Sequence, residues 1–346
     1  MQIKGEAAPS RRGVLAAGAA LAVGAVLPGT ARAQGDTGAQ MRARAETFLM
    51  GLDEAGQAAA LFAFDDPLRR RWNYMTGSRV SPGLPLEAMS AEQRMAAMDL
   101  LATGLSAGGM AKAEAVMVLQ DVLRDELNKG APDRNSLRFS MAVFGVPSVD
   151  GPWTWRFEGH HLTLSYTLVG EELVSVTPSS FSSDPNEVRS GPHDGLVALA
   201  EEETLGRQLF GDLTGGARRA ALLQETSPGN VLALPGQEGQ FRGDRLGLAL
   251  GDMSSGQADL ARRMLTVYAV DHLPEPLAEE QRARVFGGDA AAIRFGWAGD
   301  PGRGSVYYRL SGESFVIEFA TLRNQPLHHH TIRHDFDRNM GAHRLG

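Results

Sequence analysis

The sequence predicts an α+β protein of two weakly similar halves, each a set of amphipathic helices followed by a β-hairpin, packed as one unit. Three observations carry that expectation. Apolar residues recur at helical spacing in several segments, alternating β-suited residues fill others, and both kinds of segment appear twice in the same order. Gly83-Leu84-Pro85-Leu86 and Met89-Ser90-Ala91-Glu92-Gln93 return 164 residues later as Gly247-Leu248-Ala249-Leu250 and Met253-Ser254-Ser255-Gly256-Gln257. Trp155 to Tyr166 matches Tyr308 to Phe319 at an offset of 153 without a gap, with the Arg and Gly positions identical.

Taken in order, Met41 to Phe64 carries Phe48, Leu49, Leu52 and Leu61 at helical spacing and predicts one amphipathic helix. Ser90-Ala91-Glu92-Gln93 is a capping box ahead of a helix reaching about Thr103, and a further helix is expected from Gly109 to Leu127. Leu137 to Phe144, leading into Gly145-Val146-Pro147, and Trp153 to Val169 carry strand signals. Leu196 to Leu223 parallels the first helix. Glu201-Glu202-Glu203 sits at its start, where acidic residues complement the helix dipole, so that trio is assigned to the helix and not to a site. The halves are expected to span 34–195 and 196–346.

At the N-terminus, Lys4 and Arg11-Arg12 precede an apolar run from Gly13 to Leu27, followed by Pro28 and Ala31-Arg32-Ala33. That pattern predicts a signal peptide over residues 1–33, too short and too glycine-rich for a membrane span. Ser10-Arg11-Arg12-Gly13-Val14-Leu15 resembles the twin-arginine consensus, which implies a bacterial protein that is periplasmic or secreted. No transmembrane segment is expected after cleavage.

Removal of residues 1–33 takes Lys4, Arg11, Arg12, Arg32 and Glu6 from totals of 34 basic and 41 acidic residues, leaving 30 against 40. An acidic chain lacks the basic footprint of a nucleic-acid binder. With 43% hydrophobic residues it has the material for a substantial core. There is no cysteine, which excludes thiolate zinc sites, blue copper, iron–sulfur clusters and cysteine nucleophiles, and leaves stability to packing and to metal.

The nine histidines are clustered: His160-His161, His328-His329-His330, then His334 and His343, with only His193 and His272 elsewhere. Imidazole is the commonest metal ligand, so two distant clusters predict a metal centre built from two segments. A two-residue turn at Glu158-Gly159 would set Phe157 opposite His160 and Arg156 opposite His161. Trp153, Trp155, Phe157, His160, Leu162, Leu164 and Tyr166 would then share an apolar face, and Thr154, Arg156, His161, Thr163 and Ser165 a polar one. On this register His161 is the better ligand, and a one-residue slip would exchange it with His160. In the second half the polar face carries Tyr307, Arg309, Ser314 and Glu318. Pseudo-symmetric packing would gather Arg156, His161, Arg309 and Glu318.

His328 and His330, as a His-x-His pair on an extended segment, would project to one face while His329 points away. Asp335 is the candidate carboxylate ligand, or the acceptor that orients an imidazole. Other signatures are missing. There is no phosphate loop, dinucleotide fingerprint or serine-hydrolase elbow, and the segment from Asp335 lacks the glycine and glutamate positions of an EF-hand.

Trp153-x-Trp155-Arg156-Phe157-Glu158-Gly159-His160-His161, Tyr307-Tyr308-Arg309, Ile317-Glu318, His328-x-His330-Thr331 and Asp335-Phe336 together resemble the conserved blocks of the domain of unknown function 3500 family. The resemblance covers roughly residues 40 to 343. The family's Trp-Arg-Asp-Phe stands here as Arg333-His334-Asp335-Phe336, and its Asn before the first His is Leu327. The resemblance implies an exported protein of unassigned activity.

The expected centre therefore takes metal ligands from His160, His161, His328, His330 and Asp335, and chemistry from Glu318, Arg156 and Arg309. Imidazoles with a carboxylate suit zinc, iron or manganese. The leading expectation is metal-assisted hydrolysis, with Glu318 as base and Arg156 or Arg309 binding a small anionic substrate. The alternatives are an iron-dependent oxidoreductase and a noncatalytic envelope protein that binds metal or ligand.

Overall fold

Alternation in the strand segments produces one sheet with two unlike faces. The computed structural model describes residues 29–75, 81–127, 134–237, 241–243, 246–302 and 304–345. The expected signal peptide lies almost wholly outside the described residues. The strands, in chain order, are β1 (Leu61–Phe62), β2 (Leu84–Pro85), β3 (Ser140–Phe144), β4 (Pro152–Gly159), β5 (Leu162–Val169), β6 (Glu172–Ser175) and β7 (Ser179–Phe181). They continue with β8 (Leu222–Gln224), β9 (Leu248–Ala249), β10 (Arg294–Ala298), β11 (Tyr307–Ser311), β12 (Phe315–Leu322) and β13 (Gln325–Asp335). The sheet runs β1-β3-β4-β5-β7-β13-β12-β11-β10-β8, with β2, β6 and β9 pairing from the side onto β3, β5 and β10. Only β1 with β3 and β8 with β10 are parallel, so the protein is α+β, as predicted.

In both hairpins one face of the sheet is apolar. Trp153, Trp155, Phe157, Leu162, Leu164 and Tyr166 in β4 and β5, and Tyr308, Leu310, Ile317 and Phe319 in β11 and β12, enter one core with the helices. The helices are α1 (Gly29–Met50), α2 (Glu54–Ala60), α3 (Ala91–Thr103), α4 (Ala107–Asp121), α5 (Glu202–Asp212), α6 (Gly215–Ala221), α7 (Ser255–Ala269), α8 (Leu277–Phe286) and α9 (Ala342–Leu345). The opposite face holds Arg156, Glu158, Thr163 and Ser165 in the first hairpin and Tyr307, Arg309 and Glu318 in the second. Irregular chain covers this face. Trp72, Tyr74, Val231, Ala233 and Phe241 pack there against Val316, Ala320 and Ile332 as a second, smaller core.

Several sequence expectations shift. The single helix expected over Met41–Phe64 is two, because the chain breaks after Met50 and Asp53 caps α2 by accepting from the Gly56 amide. The helix expected over Leu196–Leu223 is likewise α5 and α6. The capping box forms as read, with Ser90 and Gln93 bonded reciprocally at the start of α3. Ser254 and Gln257 do the same at α7. In both cases the glutamine amide also donates to the end of the preceding helical layer, to Gly51 O and to Asp212 O. The two hairpins pair in the same register at the 153-residue offset. Trp155 stacks on Tyr166 at 4.2 Å, and Tyr308 stacks on Phe319 at 5.0 Å.

The first hairpin turns two residues later than predicted. Gly159 pairs with Leu162 and Arg156 with Ser165, so His160 and His161 are themselves the turn. A shift of two residues is even, so each strand keeps the face read from the sequence.

Beneath the helices, His272 is buried with its ring edge against Phe181, and burial holds its pKa well below 6.5, helped by the nearby Arg333 and Lys112. Below pH 6.5 the unfolded chain takes up a proton that the folded chain refuses, so His272 subtracts stability as pH falls from 6.5 toward its folded pKa. A His272→Leu variant is therefore expected to gain on wild type by up to about 1.4 kcal/mol for each pH unit in that window. Urea midpoints of both proteins at pH 7.5, 6.5 and 5.5 test this; a difference that stays constant across the three would sink it.

Candidate metal centre

Three imidazoles converge from the seam between the hairpins. His161 supplies one from the β4–β5 turn, and His328 and His330 supply two from β13. Between those segments runs the continuation of β7: Ser182 N donates to His161 O at 2.7 Å, and Ser183 exchanges two bonds of 2.8 Å with His329. His161 and His330 thus stand two strand spacings apart, about 10 Å at the backbone. Small serines intervene. Ser180 and Ser182 turn to the face of the imidazoles and bond to each other at 3.2 Å, leaving the space above them to the histidine rings.

The backbone at both segments is irregular where the ligands project. His161 has φ +71°, a left-handed conformation that an L-residue with a bulky side chain adopts at a cost of about 1–3 kcal/mol. Its amide is held by Tyr74 O at 2.7 Å. In β13 the pairing slips between Thr321 and Leu322, so His328 lies in a bulge instead of on the regular alternation. Bulges of this kind re-aim side chains beside functional sites.

His328 Nε2 lies 2.9 Å from His161 Nε2 and 3.0 Å from His330 Nε2, and all three ligand atoms fall within 4.8 Å of one another. Their other nitrogens decide what this means. Asn230 Oδ1 already accepts from Val231 N, which fixes its amide orientation, and it faces His330 Nδ1 at 2.7 Å. His330 Nδ1 must therefore carry the proton. His328 Nδ1 faces Gln325 Oε1 at 2.9 Å and the Asp184 carboxylate at 3.3 Å, so it too carries a proton. Both Nε2 atoms are then bare lone pairs at hydrogen-bond distance, an arrangement that repels unless a cation stands between them. His161 and His330 are buried and the His328 side chain is only 12% exposed. Burial, then the neighbouring histidines, lower the pKa of His161 and His330 well below 6.5, which keeps them neutral as ligands must be. His161, His328 and His330 therefore form a group able to hold a metal ion.

The remaining expected residues lie elsewhere. His160 stacks on His161 with ring centroids 3.5 Å apart and turns its Nδ1 to Gln120 Oε1 at 2.6 Å, so it supports the ring of His161 and is outside the converging group. Asp335 is on the opposite face, because β13 runs regularly from His329 to Asp335 and Asp335 lies an odd number of positions, five, beyond His330. It pairs with Arg284 and accepts from the amides of Asp337 and Arg338. His329 also points to that face, toward Glu203 at 3.1 Å.

Arg156 donates to Arg69 O and Leu68 O and pairs with Glu158 at 3.2 Å. Arg309 lies opposite Glu318 in the second hairpin, its guanidinium 5.8 Å from the Phe241 ring. Glu318 accepts from Leu232 N at 3.1 Å, Ala233 N at 2.6 Å and the Tyr307 hydroxyl. Burial raises its pKa above the ordinary carboxylate value, and those three donors oppose the rise. The gathering of Arg156, His161, Arg309 and Glu318 expected from the sequence does not form among these contacts.

Over residues 34–341 the chain matches the family model described as protein of unknown function (DUF3500). The chain belongs to that family. No curated protein and no solved structure matches this DUF3500 protein. No helix among its described residues is long and apolar enough to cross a membrane.

Sequence reasoning missed the residues that orient the imidazoles. Asn230 and Asp184 reside in irregular chain with no periodicity to flag them, and Gln120 sits on α4 as one polar residue among apolar ones. Tyr74 was also missed. Its ring meets His330 edge-on at 5.1 Å, and its hydroxyl is buried without a hydrogen-bond partner. Segment 230–233 acts as a strap over this face. Asn230 holds His330, Leu232 and Ala233 hold Glu318, and Ala233 O faces His334 Nε2 at 3.0 Å.

Proposed function

We propose that this protein is an exported metalloprotein whose mononuclear centre is ligated by His161, His328 and His330 through Nε2, and that the centre serves metal-assisted hydrolysis. The observation that carries the proposal is the approach of His328 Nε2 and His330 Nε2 to 3.0 Å while the Nδ1 of each ring faces an acceptor. Three neutral imidazoles fit zinc best among the candidate ions, with iron(II) and manganese as the other ions this donor set accepts. A divalent ion held by three protein ligands lowers the pKa of a coordinated water toward neutrality and polarises a carbonyl or phosphoryl oxygen. The protein's own part is to keep the ligands neutral and aimed. Asn230 and Asp184 fix the two Nδ1 protons, and Tyr74 O pins the His161 backbone. The Tyr74 hydroxyl, buried without a partner on the ring that meets His330 edge-on, is the candidate to hydrogen-bond a ligand there.

Elemental analysis of protein exported with its own signal tests the centre. One zinc per chain supports it, and iron in its place favours oxygen chemistry by the same ligands. Metal-free protein that neither binds added zinc nor melts higher with it would defeat the proposal. His329→Ala is expected to leave metal content unchanged, because that side chain leaves the sheet on the other face; loss of metal in this variant equal to that in His330→Ala would contradict the assignment.

A further inference from the structure

We infer a second ligand site, for a small oxyanion, in the cavity at the turn of the second hairpin. This cavity has a volume of about 310 Å³ and lies among β10, the β11–β12 turn and the end of α8. That volume is at the lower end of the range for small-molecule sites and many times the space a water needs. Along β13 the cavity is remote from the histidines. Phe336, next to Asp335, donates its amide to Ser314 O on the cavity wall, so it lies at least five residues beyond His330, about 17 Å of extended strand.

Two buried polar atoms in its wall point to the ligand. Arg294 and Ser311 are cross-strand partners on β10 and β11 and share the polar face of the sheet. Arg294 Nη1 donates to Gly247 O at 2.8 Å, whereas its Nε is buried without a partner. The Ser311 hydroxyl is also buried without a partner, and the residue is 6% exposed. A buried N–H and hydroxyl side by side cost stability unless something accepts from them. A carboxylate or phosphate oxygen does, and a guanidinium is its usual partner. Asp289 and Glu313 line the cavity from exposed positions and Arg284 is paired with Asp335, so the charge available to an anion is that of the floor. Val285, Ile293 and Phe315 supply an apolar wall for the ligand's carbon.

The test is calorimetric titration of the full chain, treated with chelator, with inorganic phosphate and separately with acetate. Saturable binding of one of them is expected, and which of the two binds distinguishes a phosphate site from a carboxylate site. Arg294→Gln should weaken binding by roughly tenfold or more, with Arg294→Lys restoring part of it. Ser311→Ala, the milder change, should cost roughly three- to tenfold and keeps the proposal testable if Arg294→Gln does not fold. His330→Ala should bind the anion like wild type, which separates this site from the metal centre. No saturable binding of either anion, binding unchanged in both Arg294→Gln and Ser311→Ala, or binding abolished by His330→Ala would overturn the inference.

Discussion

Replacing His161 or His330 with alanine is expected to abolish stoichiometric metal binding, while the chain still folds. Each substitution removes one of three converging nitrogens, and His330→Ala also takes from Asn230 Oδ1 the ring nitrogen that faced it at 2.7 Å, leaving it the Val231 amide. With free zinc at 100 times its Kd, wild type should gain about 2.7 kcal/mol of stability, and the two variants should gain none. Removing only the orienting acceptor, as in Asn230→Ala, is expected to weaken affinity about 10- to 100-fold and no more. Metal content by elemental analysis and melting with and without zinc measure all three. A His330→Ala protein that melts as much higher with zinc as wild type does would refute the ligand set.

Glu318→Ala is expected to be the most destabilising single change on the polar face of the sheet. The carboxylate is fully buried and takes two backbone amides and the Tyr307 hydroxyl, with Arg309 opposite. Its removal leaves those three donors without their acceptor and takes a negative charge from beside Arg309, a loss of about 3–5 kcal/mol on the scale of broken buried charged interactions. The strap from Asn230 to Ala233 would loosen with it, so metal affinity should fall as well. Glu318→Gln separates this role from that of a general base. A base variant keeps stability and metal and loses turnover on the order of 10²-fold, whereas a strap anchor loses stability and affinity together. Denaturant midpoints and zinc titrations of the Gln variant give the answer, and we expect the second pattern.

The legible part of this protein was whatever local chemistry repeats. The Ser90 and Ser254 capping boxes and the alternation of Trp153 to Phe157 against Thr154 to Glu158 follow from period and residue type, and the two histidine clusters stand out by composition. The turn did not, because Glu158-Gly159 has better turn chemistry than His160-His161. Long-range packing overrides it: the stacks of Trp155 on Tyr166 and Phe139 on Phe157 set the register. The even size of the error preserved the face of every strand residue, whereas His161 reaches the site from the turn itself through its left-handed backbone. Asp335 was misplaced for the opposite reason. As a carboxylate five positions beyond His330 it is expected to reach a metal, but regular strand pairing carries it to the helical face. Asn230 and Asp184 reach the site through folds of irregular chain that no single-sequence pattern encodes.

His161 and His328 are 167 residues apart in sequence, and the chain has no cysteine. An ion held between them would close a loop as long as most disulfides ever span, with a chain-entropy effect approaching about 5 kcal/mol on the model used for such cross-links. Unlike a disulfide, that clasp opens to a chelator and is indifferent to reducing agents. The lifetime of the folded protein against proteases should then follow the availability of the metal in its surroundings, so that scarcity of the ion shortens the protein's survival.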